Sequence, residues 1–386
     1  MLAGETRAAA APFILVGPLP PPIDGQSLAF ELLANGLARA GVGVSVVNIA
    51  RPGQQFERAR AARALDYVQI LSRFVRELFR QSRASVYLTV AQSRAGFLRD
   101  AAFIGLARLA RRRIVIHVHG GNYDGFFAAQ PPLLQGVVKR VLRATDVVIV
   151  LAERLRGMFD FAPEVAARVR AVPNGLPGAA PQQRRKLAPE PGSPWRLLFL
   201  SNLVESKGYL EAIEAAALLA KRGICVELDL CGEFRVNPSD DRRVTSTAQA
   251  RAVTESRIRE LGLSDRVRLR GIVRGSEKER ALEEAHVLLL PTRYDAEGQP
   301  LSIIEAMAFG CAVVATAYRG IPDLVDEGVT GYLLSSADPA GIADRIERLS
   351  SGPETFERMS RAARERFDAL FTAEAHIAAM RAALGC

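Results

Sequence analysis

Between Leu288 and Thr316 the chain reads LLLPTRYDAEGQPLSIIEAMAFGCAVVAT, an order that commits it to a strand, a loop, a helix and a second strand. His286 to Leu290 is an apolar run of strand length, suited to a buried sheet. Pro291 to Gln299 is a polar loop. Pro300 to Phe309 reads as a helix, with Pro at its first position, where a missing N–H costs nothing. Gly310 stands where helices commonly end, and Cys311 to Ala315 is strand-like again.

Two acids flank the helix start. Glu297 lies in the loop at the carboxyl end of the first strand, and Glu305 lies eight residues later inside the helix. Between them, the N–H groups of Leu301, Ser302 and Ile303 are free at the helix N-terminus, a ready site for a phosphate. A phosphate between two carboxylates suggests a nucleotide-sugar. The helix would hold the pyrophosphate, and one acid each would reach sugar and ribose hydroxyls. The same spacing also fits an ordinary βαβ unit with two solvated glutamates.

The chain opens on the same pattern. Phe13 to Val16 is a strand, GPLPPPIDGQS a Pro-rich turn, Gln26 to Ala40 a helix and Val42 to Ile49 a second strand. Gly25 lets backbone approach a ligand where a Cβ would block it. Further strands are expected at Val86 to Val90, Ile114 to Val118, Val147 to Val150, Trp195 to Leu200 and Val226 to Leu230. His119 ends one of them before a Gly-Gly turn, where open α/β sheets bind ligands. His117 points the same way but deeper, and reads as a hydrogen-bonded core histidine. Pro177 to Pro194 has no apolar period and reads as a linker. Phe234 to Ala250 is polar and reads as a mobile insertion. Amphipathic helices close the chain at Pro339 to Leu349, Thr355 to Phe367 and Thr372 to Leu384, with Asp338 as an N-cap.

The run E-G-Q-P-L-S-I-I-E-A-M-A-F-G-C-A-V-V-A-T resembles the E-x7-E signature of retaining glycosyltransferases of family 4, within glycosyl transferases group 1. SNLVESKG resembles the G-R-L-x-x-x-K-G element of that family: Lys207 and Gly208 are kept, and Asn202 stands where many members carry arginine. The first loop resembles the family's Pro-rich Gly-Gly loop, with Asp24 in place of the first glycine. Val267 to Val273 resembles the strand and turn around the nucleotide base.

The resemblance implies an α/β chain of the GT-B fold, two doubly wound Rossmann-like domains facing across a cleft. An acceptor-side domain would span residues 1–180, a linker 181–194 and a nucleotide-sugar domain 195–368. A final helix within 369–386 would pack back on the first domain. Implied as catalytic are His119 and Glu297; implied as donor-binding are Gly25, Asn202, Lys207, Val273, Gln299, Pro300, Leu301, Ser302 and Glu305. An Asn cannot neutralise a phosphate, so Lys207 would bear more of the pyrophosphate charge. The activity implied is transfer of a hexose from a nucleoside-diphosphate sugar to an acceptor hydroxyl, with retention, in bacterial surface-polysaccharide assembly. No Asp-x-Asp motif is present, so neither metal nor cofactor is expected. The base, the sugar, the acceptor and the oligomeric state stay open.

Charge adds a second theme. Residues 1–185 hold 25 Lys+Arg and 12 Asp+Glu, or +13, and the remainder holds 26 and 30, or −4, giving the net +9. Arg73, Arg76, Arg80 and Arg83 form a stripe opposite Leu71, Phe74, Val75 and Leu78 on a helix expected from Phe56 to Arg83. Such a face suits an anionic membrane surface, as it also suits a solvated helix packed on a sheet. No apolar run reaches the ~20 residues needed to span a bilayer, and no signal peptide is read. The four cysteines are scattered, with Cys225 and Cys231 placed on one face of one strand, which suggests free thiols in a reducing cytoplasm. The expected location is cytoplasmic, peripheral on the inner face of the membrane. Two rival functions are another GT-B sugar-nucleotide enzyme, such as an epimerase, and a non-enzymatic nucleic-acid binder. The latter rests on charge alone, without aromatic platform or zinc spacing.

Overall fold

A computed structural model describes residues 11–50, 60–178, 181, 186–237, 241 and 243–386. The chain divides into two compact units, Met1–Gly178 with Ala373–Cys386, and Ala179–Thr372. The first 178 residues carry β1 (Phe13–Gly17), α1 (Gly25–Arg39), β2 (Val44–Asn48), α2 (Arg60–Arg80), β3 (Ser85–Val90), α3 (Arg94–Leu109) and β4 (Ile114–Val118). Then come α4 (Tyr123–Ala128), α5 (Pro132–Arg143), β5 (Val147–Val150), α6 (Pro163–Ala166) and β6 (Val169–Ala171). The second unit carries β7 (Trp195–Leu200), α7 (Tyr209–Lys221), β8 (Val226–Cys231), α8 (Thr247–Glu260), β9 (Val267–Gly271), α9 (Gly275–Glu284) and β10 (Val287–Leu290). It continues with α10 (Leu301–Ala308), β11 (Ala312–Thr316), β12 (Gly331–Leu334), α11 (Pro339–Ser350) and α12 (Pro353–Leu370), before α13 (Ala373–Leu384) rejoins the first unit.

Each unit is built on one parallel six-stranded sheet, in the orders β2-β1-β3-β4-β5-β6 and β12-β11-β10-β7-β8-β9. Strands β1, β4, β10 and β11 are buried at every position because helices cover both faces, while β9, at one edge of its sheet, alternates Val-Arg-Leu-Arg. In the first unit, Phe74, Phe103, Ile104, Val138 and Leu142 from α2, α3 and α5 fill one layer. Phe30, Leu33 and Leu37 of α1 with Met380 and Leu384 of α13 fill the other. The last helix is held closely there. A Cβ at Gly36 would stand 2.3 Å from Ile377, and Arg170 Nη1 donates to the Ala383 carbonyl at 2.9 Å.

In the second sheet the strand order reverses between β7 and β10. Crossovers leave these two strands in opposite directions, which makes them the switch point beyond whose carboxyl ends open α/β sheets bind ligands. The loops after β7 and β10 carry Lys207 and Glu297.

The structure corrects several expectations. The stretch read as a mobile insertion is partly ordered: α8 starts inside it, capped by Ser246, Val244 is buried, and Asp241 accepts from the Ser206 N–H at 3.2 Å. Cys225 precedes β8 and is exposed whereas Cys231 is buried, so the two do not share a strand face; all four cysteines are free. Helix α10 begins at Leu301, and Pro300 is its N-cap rather than its first residue. The beginning of the helix expected from Phe56, residues 182–185 of the linker, and residues 238–240 and 242 of the polar stretch lie outside the described residues.

Candidate active site

The second unit gathers most of the predicted residues. Lys207 ends the 3-10 turn Glu205–Lys207, and Gly208 follows at φ +84°. A Cβ on Gly208 would stand 2.3 Å from the Pro291 carbonyl oxygen, so only glycine lets the Lys207 turn press against the end of β10. Beside it, a Cβ on Gly232 would meet the Ser201 carbonyl at 1.9 Å, which fixes the exit of β8 against the segment carrying Asn202.

Across this junction the Lys207 Nζ lies 3.4 Å from Glu297 Oε2 and 5.2 Å from the centre of the Tyr294 ring. The contact is an ion pair without aligned hydrogen-bond geometry, because Glu297 Oε2 is buried and makes no hydrogen bond. Gln299 and Pro300 are buried next in the chain, and Asn202 is exposed.

Helix α10 starts here without a side-chain cap. Ile303 N–H donates to the Pro300 carbonyl at 3.2 Å, so it is not free as expected; a proline carbonyl three residues back closes a tight first turn. The N–H groups of Leu301 and Ser302 have no acceptor among the described residues. Glu305 is largely buried on the same helix and accepts from Lys278 Nζ of α9 at 2.6 Å. Val273 is buried, and Ile272 beside it is half exposed.

A charged network that the sequence did not announce supports the two loops. Glu205 is buried; it accepts from Arg293 Nη2 at 3.1 Å and from the Arg243 N–H at 2.6 Å. Arg293 N–H donates to the Ser206 carbonyl at 2.7 Å. The loop of Glu297 and the turn of Lys207 are thereby tied by main chain and by charge. Glu211, also buried, lies 3.4 Å from Arg243, and burial raises its carboxyl above the usual range. The E-S-K-G run was the one visible hint of this network.

His119 and Gly25 belong to the first unit. The His119 ring packs tilted against His117, centroids 4.1 Å apart, and its Nε2 is shielded from water with no partner among the described residues. Burial pushes its imidazole down to about 3, helped by the neighbouring charge of His376. His117 is buried with Nδ1 at 2.6 Å from the Tyr87 hydroxyl, a core histidine. His376 of α13 holds the Pro173 carbonyl through Nδ1 at 2.7 Å; nothing in its sequence neighbourhood marked it.

At Gly25 the geometry explains the Asp24 substitution. Asp24 is the N-cap of α1: its carboxylate accepts from Ser27 N–H at 2.8 Å while Ser27 Oγ accepts from Asp24 N–H at 3.0 Å. A carboxylate thus already occupies the start of the helix that Gly25 opens. Among the described residues no cluster of three His, Cys, Asp or Glu could hold a metal ion.

Residues 181–366 match the family model of glycosyl transferases group 1. Over 182 residues the chain is 32% identical to the amylovoran biosynthesis glycosyltransferase AmsK of Erwinia amylovora, covering 46% of this chain and 41% of that one. It is equally 32% identical over 181 residues to the putative colanic acid biosynthesis glycosyltransferase WcaL of Salmonella typhimurium, covering 46% and 41%. The chain thus spans about two fifths of the length of these curated relatives. The structure of Anabaena Alr3699/HepE in complex with UDP superposes with a TM-score of 0.69 at 16% identity, over 97% of this chain and 99% of that one. The fold is GT-B.

Proposed function

We propose that the chain is a retaining hexosyltransferase using a nucleoside-diphosphate sugar as donor. The observation that carries this reading is the Lys207–Glu297 pair beside the uncapped start of α10, at the switch point of the second sheet. A cation and two N–H donors suit a diphosphate, and a buried carboxylate next to them suits sugar hydroxyls.

The leaving group is an anionic nucleoside diphosphate. Lys207 and the Leu301 and Ser302 N–H groups would stabilise the charge that grows on it as the C1–O bond breaks. Asn202 would add a neutral hydrogen bond. Glu297 would hold donor-sugar hydroxyls and orient the anomeric carbon, and Glu305, steadied by Lys278, would take the ribose hydroxyls. His119, kept neutral by burial, would offer the sugar a hydrogen bond rather than a charge. The acceptor oxygen would bond to C1 on the face the diphosphate leaves, and its proton would pass to the departing phosphate oxygen. We take the reaction to need no metal.

The names of the matched relatives support a surface-polysaccharide pathway and a glycan or lipid-linked acceptor. The basic first half supports a peripheral location on the inner membrane face. No helix among the described residues is long and apolar enough to cross a membrane.

A thermal-shift screen of UDP, GDP, ADP and TDP, with Mg²⁺ and with EDTA, on wild type and Lys207→Ala tests the donor site. A ligand at ~100 times its Kd adds ~2.7 kcal/mol of stability. One diphosphate stabilising wild type but not the variant, in EDTA as in Mg²⁺, supports the assignment; none acting at millimolar concentration overturns it. NMR of the product then reads the anomeric configuration, and an inverted linkage would refute retention. Isomerised donor without transfer would favour an epimerase.

A further inference from the structure

The first unit presents one outer surface whose chemistry differs from the rest. Helix α3 packs between α2 and α5 on one face of the sheet. Its outward line is Leu98, Ala102, Gly105 and Leu109, spaced i, i+4, i+7 and i+11, with no polar side chain among them. Leu98 is 60% exposed and Leu109 82%. A helix that only faced water would carry charge along that line. On α2, Val68 and Phe79 face out, Phe79 at 84%; on α5, Leu133 at 84% and Val137 do the same. Gly105 and Gly136 sit on the exposed surface, and a Cβ at either would meet nothing within 4 Å, so no packing inside the chain asks for glycine there.

Charge around these residues is mostly positive. Arg73, Arg76 and Arg80 of α2, Arg83 beyond it, Arg108 and Arg111 at the end of α3, and Arg140 of α5 are exposed. Among the described residues Arg73, Arg76, Arg108 and Arg140 enter no ion pair. The acids on the three helices are Asp66, Glu77 and Asp100. Asp100 is buried against Arg99 at 2.7 Å, and Glu77 is held by Ser45 and Gln81, each at 2.8 Å.

We propose that this α2–α3–α5 face docks on an anionic lipid surface, with Phe79, Leu98, Leu109 and Leu133 entering the headgroup–acyl boundary and the arginines meeting lipid phosphates. The inference rests on the peripheral location proposed above and names the surface that provides it. Apolar side chains flanked by exposed arginines are what an interfacial helix face needs. Among the described residues only Arg80 of those named is paired, with Glu77 at 3.7 Å. Each basic residue near such a membrane strengthens attachment about fivefold. A second copy of the chain is a poorer occupant, because a two-fold contact through this face sets arginine against arginine. Nucleic acid would satisfy the arginines but leave the exposed leucines without a role.

Co-sedimentation of the full chain with vesicles tests this, using phosphatidylcholine alone or with about a third phosphatidylglycerol. Wild type should partition at least about tenfold better onto the anionic vesicles, and less so as salt rises. The double variant Leu98→Asp/Leu109→Asp should lose about tenfold or more, with melting temperature and diphosphate-induced shift unchanged, because both side chains lie in solvent. Equal binding to both vesicles, or full binding by the double variant, overturns the proposal. A drop in solution mass in the variant without wild-type vesicle binding would assign the face to self-association instead. Loss of binding to a short RNA in the variant, again without wild-type vesicle binding, would assign it to nucleic acid. Failed vesicle binding with an intact diphosphate shift sinks this inference alone, and the reverse pattern sinks the donor-site reading alone.

Discussion

The Lys207 ammonium faces the Glu297 carboxylate at 3.4 Å, each on a loop that leaves a neighbouring central strand of the second sheet. Both side chains are largely buried, so each neutralises the other in a place where a lone charge is costly. The pair also separates two tasks. Lys207→Ala should abolish stabilisation by free nucleoside diphosphate and cost about 2 kcal/mol of stability by stranding the carboxylate. Glu297→Gln should keep the diphosphate shift and lower kcat by about a hundredfold or more, because the proposed role gives this carboxylate the sugar hydroxyls and leaves the phosphates to Lys207. Thermal shift and steady-state transfer on both variants check this; equal loss of diphosphate binding in both would remove the division of labour.

Gly208→Ala is expected to be among the most damaging small substitutions in the second unit. The position combines φ +84° with a 2.3 Å approach of the new Cβ to the Pro291 carbonyl. Left-handed strain alone costs about 1 kcal/mol, and the clash must move the Lys207 turn. Urea unfolding should show a loss of about 2 kcal/mol or more, with weaker diphosphate binding in parallel. A variant with wild-type stability would mean that the turn slides freely along β10.

Asp24 takes a capping role. Asp24→Ala should destabilise the first unit by about 1 kcal/mol, and Asp24→Asn by far less, since Asn caps as well as Asp. The comparison of the two in urea melts is decisive; equal loss would point to the charge rather than to the hydrogen bond with Ser27.

The buried histidines predict a direction for acid sensitivity. Burial holds His117 and His376 below their ordinary value and His119 down at about 3. The unfolded chain takes up their protons near 6.5, while the folded chain refuses them. Stability is therefore fully present above about pH 6.5 and falls as the pH drops toward the folded values. Between pH 6.5 and its own folded value, a histidine contributes a slope of up to about 1.4 kcal/mol per pH unit. His119→Gln should flatten the stability profile between about pH 6 and 4.5 by up to that amount. An unchanged slope would show that His119 gains its proton in the folded state.

What the sequence revealed and what it hid follow from distance along the chain. Glu297, Glu305 and the helix between them lie in one short segment, so periodicity and capping rules place them together. Arg293 and Glu205 are 88 residues apart, Lys278 and Glu305 27, Asp241 and Ser206 35; only the closed sheet makes them neighbours. Helix α8 went unseen because its buried line is Ala250, Thr254 and Ile258, too small and polar to stand out as a stripe. Strand β6 has three residues, below the length at which a pattern can register. The N–H of Ile303 is bonded rather than free because Pro300 is the N-cap and not the first helical residue, a shift of one position that changes which donors remain.

The return of α13 to the first unit sets an order of events at the ribosome. Domains generally fold as they emerge, N-terminal part first. Here Phe30, Leu33 and Leu37 wait for Met380 and Leu384, which are made only after the whole second unit. That face of the first sheet is therefore covered by α1 without α13 through the synthesis of the second unit. The nascent chain passes through a stage in which the unit begun first is the one finished last.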